Sequence, residues 1–245
     1  MNPVPAVEVN QLWTAYPGHP PVLQGLDLRV EVGQHLGVIG PNGAGKTTLF
    51  LTLCGLLPPC SGQVSLFGQP LRPGQFRPEV GLVFQDPNDQ LFAPSVAEDV
   101  AFGLRNLARP EAEIAAAVQA ALQMTGTLHL ADRPPHHLSG GEKRMVAIAG
   151  ILAMQPQLVL YDEPTANLDL RARRRLIVFL QQAAHTFLLA SHDLELILEV
   201  CDQVILLDQG RIWAQGSPAH LMSQPDLMEA HDLEVPPRCA DNGKS

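Results

Sequence analysis

Short apolar runs punctuated by glycine and proline pattern this chain. Val7 to Trp13 repeats apolar residues as a strand does and ends at the turn Tyr16-Pro17-Gly18. Leu26 to Val32 alternates apolar and polar residues, the mark of an antiparallel strand with one solvated face. Gly33 then turns the chain into Leu36-Gly37-Val38-Ile39, a buried strand, and Leu49 to Leu53 continues as a helix that Pro58-Pro59 stops. Gln63 to Phe67 and Gly81 to Phe84 are further predicted strands. Over about 86–153 the period becomes helical. Ser95 with Glu98 three residues on predicts a capping box, Pro110 to Met124 is alanine-rich and helix-forming, and a third helix follows Ser139-Gly140-Gly141. Leu158 to Tyr161 is wholly apolar, as a strand in the middle of a parallel sheet is. Helix over Arg171 to Ala184, strand over Phe187 to Ala190, helix over Leu194 to Val200 and strand over Val204 to Leu207 follow. Asp208-Gln209-Gly210 then turns into Arg211 to Gln215, and Ser217-Pro218 opens a final helix.

The pattern predicts an α/β fold forming a single domain over 1–235. Its core occupies about 1–85 and 154–216, a helical subdomain over about 86–153 is inserted between core strands, and a C-terminal helix spans about 217–235. The polar tail 236–245 is expected to be disordered.

Composition narrows the function. Among 245 residues, 16 Lys and Arg against 25 Asp and Glu give a formal net charge of −9, which argues against nucleic acid as a partner, because such surfaces are basic. The run Arg171 to Arg175 reads either as a local basic patch or as the solvated face of a helix. No apolar run reaches the length of about eighteen residues that a bilayer-crossing helix needs, and the first residues lack the basic and apolar regions of a secretory signal. A cytosolic chain is expected, with any membrane role resting on an embedded partner. Cys54, Cys60, Cys201 and Cys239 show no C-x-x-C spacing and suggest reduced thiols. The histidines show no ligand spacing, so no structural metal is assigned.

The chemistry begins at Gly40-Pro41-Asn42-Gly43-Ala44-Gly45-Lys46-Thr47-Thr48. The spacing G-x-x-x-x-G-K-T between a strand and a helix is that of a phosphate-binding loop. Its glycines let successive N–H groups converge on one anion, and the helix adds its positive end. Lys46 supplies charge for the β- and γ-phosphates, and the Thr47 hydroxyl is placed to hold Mg²⁺. Asp162-Glu163 close the apolar strand, where a carboxylate is expected to face the phosphate loop across the strand ends. Asp162 is expected to hold Mg²⁺, directly or through water. Glu163 is expected to orient and deprotonate the water attacking the γ-phosphate, contributing about 10²–10⁴ in rate, or roughly 3–5 kcal/mol of barrier.

Leu138 to Arg144, LSGGEKR, places a second anion-binding helix N-terminus in the chain. One nucleotide does not need two such sites far apart in one chain. The economical arrangement is two chains head to tail, each closing the other's ATP with Ser139, Gly140 and Gly141.

Taken together these runs resemble the ATP-binding cassette of ABC transporters from about Val7 to Ser217. The phosphate loop is GPNGAGKTT, the glutamine loop centres on Gln85, the signature is LSGGEKR, and the acidic strand is LVLYDEP. The D-loop is Ala166-Asn167-Leu168-Asp169 and the switch histidine is His192. The resemblance implies a P-loop NTPase core with an antiparallel β subdomain and an inserted α-helical subdomain, using ATP and Mg²⁺. It also implies that Gln85 contacts Mg²⁺ or the attacking water, that Asp169 couples two sites across a cassette dimer, and that His192 contacts the γ-phosphate. Tyr16 is similar to the aromatic that stacks on adenine. Glu142 stands where many cassettes carry Gln, and Asn167 where small residues are common.

The run QDPNDQLF from Gln85, followed by VAEDVAFG from Val96, resembles the ATPases of energy-coupling-factor importers. In that group this segment receives cytoplasmic helices of a transmembrane coupling subunit, and Asp86, Asp89, Glu98 and Asp99 are expected to present an acidic surface to them. The resemblance implies a peripheral subunit on the cytoplasmic face of the cell membrane. Its partners are a second cassette, identical or paralogous, the coupling subunit and a substrate-binding membrane subunit. The D-loop and the run His192 to Leu196 look most like the cobalt/nickel branch. Biotin or another vitamin as cargo, or a soluble cassette outside transport, are the alternatives.

Overall fold

The computed structural model describes residues 3–72 and 74–240. In chain order the elements are β1 (Val7–Ala15), β2 (Pro21–Val30), β3 (His35–Ile39), α1 (Lys46–Leu53), β4 (Ser61–Leu66), β5 (Gln69–Pro70), β6 (Val80–Val83), α2 (Val96–Asn106), α3 (Glu111–Met124), α4 (Gly140–Ala153), β7 (Leu158–Asp162), α5 (Leu170–Gln181), β8 (Thr186–Ala190), α6 (Leu194–Val200), β9 (Gln203–Asp208), β10 (Arg211–Gly216), α7 (Pro218–Met222), α8 (Pro225–Glu229) and α9 (Pro237–Ala240). Contacts gather them into two compact units, one comprising the chain up to Arg77 and from Ala184 onward, the other Pro78 to Ala183.

In the first unit an antiparallel sheet runs in the order β2-β1-β4-β5. Val7, Val9 and Leu12 of β1 and Leu26, Leu28 and Val30 of β2 turn inward. Glu8 and Arg29 pair across the outer face at 3.3 Å. The alternation in β1 breaks at Gln11, where φ is 47° and the register shifts. Gln11 donates its backbone N–H to Asp27 at 2.7 Å there, so the side chain of the neighbouring strand takes over a bond lost from the ladder. The other strands of this unit are β8, β3 and β9, parallel to one another, with β10 returning antiparallel on β9. Thr186 to Ala190 and Val204 to Leu207 are buried throughout, which is why both read as unbroken apolar runs.

The second unit holds the parallel pair β6 and β7 and helices α2 to α5. Val96, Val100, Leu104, Ile114, Val118 and Val146 interlock α2, α3 and α4. Contacts therefore assign β6, β7 and α5 to the same unit as the helical segment, a wider grouping than 86–153. The cause is α4, whose Ile151 lies so close to Gly81 of β6 that an added Cβ there would stand 2.2 Å from it.

Three local expectations change. The C-terminal helix over 217–235 is two short helices, because Pro225 lacks the N–H that a continuous helix would use and instead opens α8. Pro237 to Ala240 form a helical turn rather than disordered chain. Cys239 is buried there and Arg238 pairs with Glu195 and Glu199 of α6 at 3.1 and 3.4 Å. Residues 241–245 lie outside the described residues. At α2, Ser95 caps by accepting from the Glu98 N–H at 3.4 Å. The reciprocal box forms instead at α4, between Ser139 and Glu142. Among the described residues no helix is long and apolar enough to cross a membrane.

Candidate functional site

The predicted phosphate loop is a tight turn from the end of β3 into α1, anchored by buried Ile39 before it and by Leu49, Phe50 and Leu53 after it. Gly40 has φ +152°, and a Cβ on it would stand 1.9 Å from the Leu207 carbonyl oxygen at the end of β9. Only glycine lets the loop approach that backbone. The turn between β9 and β10 braces the other side. Gly210 donates its N–H to the Ala44 carbonyl at 3.0 Å and accepts from Gln24 of β2 at 2.9 Å. At the start of α1 Gly45 occupies the cap position with φ 109°, and no side chain caps the first turn. Those first N–H groups are an anion site in the making.

Lys46, 7% exposed, folds back over the loop. Its ammonium donates to the Gly40 carbonyl at 2.7 Å and to the Pro41 carbonyl at 3.1 Å, and lies 3.2 Å from His192 Nε2. An ammonium only donates, so Nε2 accepts and the ring proton sits on Nδ1. Burial first, and then the Lys46 charge, hold the His192 pKa below its ordinary value. His192 follows β8, and the next residue, Asp193, fixes its loop by capping α6 at 3.0 Å. Tyr16 follows β1 with its ring partly exposed and its hydroxyl 3.4 Å from Thr48 Oγ1. Tyr16, Lys46, Thr48 and His192 are thus gathered around one loop by three different strands.

In the second unit β7 is buried along its length and ends at Asp162, itself 5% exposed. Glu163 has φ 46°, a left-handed conformation uncommon for a residue with a side chain, and this turns the chain sharply out of the strand. Asp169 caps α5, accepting from the Ala172 N–H at 2.7 Å. Gly141 explains how the signature reaches that point, since a Cβ on it would stand 2.5 Å from the Ala172 methyl. The first turn of α4 and the start of α5 therefore touch, bringing Ser139, Gly140, Gly141 and Asp169 into one neighbourhood.

One residue of this unit was not singled out by motif reading. Arg144 is 1% exposed, and its guanidinium donates to the carbonyls of Phe84 and Gln85. Burial lowers its pKa to about 10, against the opposing pull of Asp86 and Asp162. The segment that leaves β6, Phe84 and Gln85, is thereby clamped to α4. Gln90 adds a second tie, accepting from the Phe84 N–H at 3.3 Å and donating to the Ala147 carbonyl at 3.4 Å. The available signal was an arginine in the first turns of a helix, followed directly by the apolar run Met145 to Ala149.

The acidic surface expected after Gln85 is smaller than four residues. Asp99 is buried, and its Oδ1 accepts from the Phe92 and Ala93 N–H groups at 3.0 and 2.9 Å. Asp86 accepts from the backbone and side chain of Asn88 at 2.8 and 2.7 Å. Asp86, Asp89 and Glu98 remain exposed. Beside them lies a groove of about 250 Å³ lined by Phe84, Phe92, Phe102, Val146, Ile151 and Met154.

Comparison with known proteins places these motifs in a family. The profile of the ABC transporter family matches residues 23–166. A candidate ABC transporter ATP-binding protein of Synechocystis sp. is 54% identical over 232 residues, covering 95% of this chain and 82% of its own. The energy-coupling factor transporter ATP-binding protein EcfA of Methanothermobacter thermautotrophicus is 42% identical, covering 96% of this chain and 78% of its own. Among solved structures, cbiO1 of Clostridium perfringens, described as part of the ABC transporter complex cbiONQ, superposes with a TM-score of 0.83. It is 34% identical and the match covers 98% of this chain and 99% of that one. A phosphate loop on a mixed sheet, a helical subdomain between its strands and these relatives agree: the chain belongs to the ABC-transporter ATPases, and is an ATP-binding cassette that hydrolyses ATP.

Proposed function

We propose that this cassette is the ATPase subunit of an energy-coupling-factor importer and that its cargo is Co²⁺ or Ni²⁺. The observation that carries the reading is the end-to-end match to cbiO1, 98% of one chain on 99% of the other. EcfA relatives from Methanothermobacter thermautotrophicus and Methanocaldococcus jannaschii, each 42% identical, support it. In this reading the chain is peripheral at the cytoplasmic face of the membrane, and the groove beside Phe92 and Phe102 receives the coupling subunit.

The site residues take the following parts. The α1 N-terminus and the loop from Gly40 to Thr48 hold the phosphates, with Lys46 moving its ammonium from the loop carbonyls to the β- and γ-oxygens. Tyr16 stacks on the adenine. Glu163 orients the attacking water and accepts its proton. His192 contacts the γ-phosphate, and Ser139, Gly140, Gly141 and Asp169 close the nucleotide of a partner cassette, identical or paralogous. Thr47, Asp162 and Gln85 offer hydroxyl, carboxylate and amide oxygens, the hard donor set that suits Mg²⁺. When bound, Mg²⁺ neutralises charge on the phosphate oxygens.

The test is uptake of Co²⁺ and Ni²⁺ by vesicles carrying the co-purified membrane complex, wild type against Glu163→Gln. Uptake of either ion that is lost in the variant supports the reading. A complex that instead moves biotin or another vitamin overturns the cargo, and failure to co-purify with any membrane protein overturns the transport role.

A further inference from the structure

The capping box of α4 holds a conflict. Ser139 donates its backbone N–H to Glu142 Oε2 at 2.8 Å and its hydroxyl to the same oxygen at 2.7 Å, while accepting the Glu142 N–H at 3.3 Å. A serine hydroxyl has one proton. Given to Glu142, it leaves only lone pairs facing outward, and these repel a phosphate oxygen. The hydroxyl can serve a nucleotide only by leaving a carboxylate, and a hydrogen bond to a charged acceptor is roughly twice as strong as a neutral one.

We propose that Glu142 is a positioning residue that withholds the Ser139 proton from the partner's ATP, and so sets the ATP concentration at which two cassettes close. The inference rests on the reading that Ser139 acts in trans. Three observations support it. Both arms of the box are present at α4, whereas α2 has the Ser95 arm alone, so the carboxylate grip is particular to the signature helix. The carboxylate stays charged, because its bonds from Ser139 and then the nearby Arg133 and His129 lower its pKa. Its negative charge also stands within one hydrogen bond of the oxygen that would meet the γ-phosphate, so it opposes the incoming anion directly as well as competing for the proton.

Glutamine at this position separates the two functions. Its amide oxygen can accept the Ser139 N–H and keep the cap, but it carries no charge and holds the hydroxyl less tightly.

The experiment measures, by light scattering, the ATP concentration that half-converts monomer to dimer. Every protein carries Glu163→Gln to prevent turnover, and thermal melting without nucleotide is recorded in parallel. Glu142→Gln is expected to lower the half-conversion concentration by about five- to ten-fold, the difference between a charged and a neutral acceptor, with an unchanged melting midpoint. Ser139→Ala raises it, and in the double variant the benefit of Glu142→Gln shrinks to the part owed to relieved repulsion of the phosphate, because the rest passes through the serine proton. Glu142→Ala, which breaks the cap, should lower the melting midpoint that Glu142→Gln preserves, assigning the cap to the amide oxygen and the ATP effect to the charge. If Ser139→Ala weakens closure while Glu142→Gln leaves it unchanged or weaker, Glu142 is only a cap and the inference falls. If Ser139→Ala has no effect, the reading in trans fails first and takes the inference with it.

Discussion

Replacing Arg144 with methionine tests whether a buried cation positions the glutamine loop. The guanidinium makes two charge-assisted bonds, to the Phe84 and Gln85 carbonyls, together about 3–6 kcal/mol in gross terms. Burial opposes this, lowering the pKa from its ordinary value to about 10. At about 1.36 kcal/mol per pKa unit that is roughly 3 kcal/mol against the charged form. Arginine is charged at pH 7 in folded and unfolded chains alike, so this cost is present throughout the neutral range and is recovered only as pH rises through about 10. The terms leave a net of about 0–3 kcal/mol, and methionine refills the volume of the stem. At about 2–4 °C per kcal/mol for a chain of this size, the melting midpoint should fall by at most about 12 °C. Turnover should suffer more, because a displacement of about 1 Å near reacting groups can cost a hundred-fold. Arg144→Met is therefore expected to lower kcat about 10- to 100-fold with ATP affinity within about two-fold of wild type. Arg144→Lys keeps the charge but cannot span two carbonyls, so it should lose kcat as well. Steady-state ATPase assays, nucleotide titration and thermal melting together decide the matter. A folded variant of either kind turning over within about two-fold of wild type refutes the clamp.

His192 gives a pH prediction. With burial and Lys46 holding its pKa below the usual value, it is neutral in the free protein at pH 7, and the γ-phosphate should raise that pKa by supplying opposite charge. ATP binding is then accompanied by proton uptake, and affinity strengthens as pH falls from the bound toward the free pKa. Calorimetry in buffers of different ionisation enthalpy should show that uptake in wild type and its loss in His192→Ala; proton release in wild type would contradict it. The loop glycines give a stability prediction: Gly40→Ala, whose Cβ would stand 1.9 Å from a carbonyl oxygen, should prevent folding or cost several °C more than Gly43→Ala, whose φ is +80° with open space around it. The Gly43 change carries only left-handed strain of about 1–2 kcal/mol, and equal melting midpoints would undo the argument.

The phosphate loop was legible because its parts are contiguous: strand, glycines, lysine and helix fall within one short run, and the structure folds them as one turn. The strands were legible for a related reason, since burial on both faces of β8 and β9 erases alternation and leaves apolar runs. The Arg144 clamp was not, because it joins a helix to a strand end far away in the chain, and no local period encodes which carbonyl a guanidinium will reach. Ser95 and Ser139 show the same limit. Both fit the pattern of serine with glutamate three residues on, yet the glutamate arm closes only at Ser139. Asp99 was assigned to the surface by its charge, whereas the N–H groups of Phe92 and Ala93 draw it inside.

Under the proposed function two cassettes enclose Mg-ATP, one providing Lys46 and the other Ser139. Light scattering of Glu163→Gln with and without Mg-ATP measures this directly. A monomer that becomes a dimer with nucleotide, and fails to do so when Lys46→Ala is added, is the expected result. A chain that remains monomeric at saturating nucleotide contradicts it.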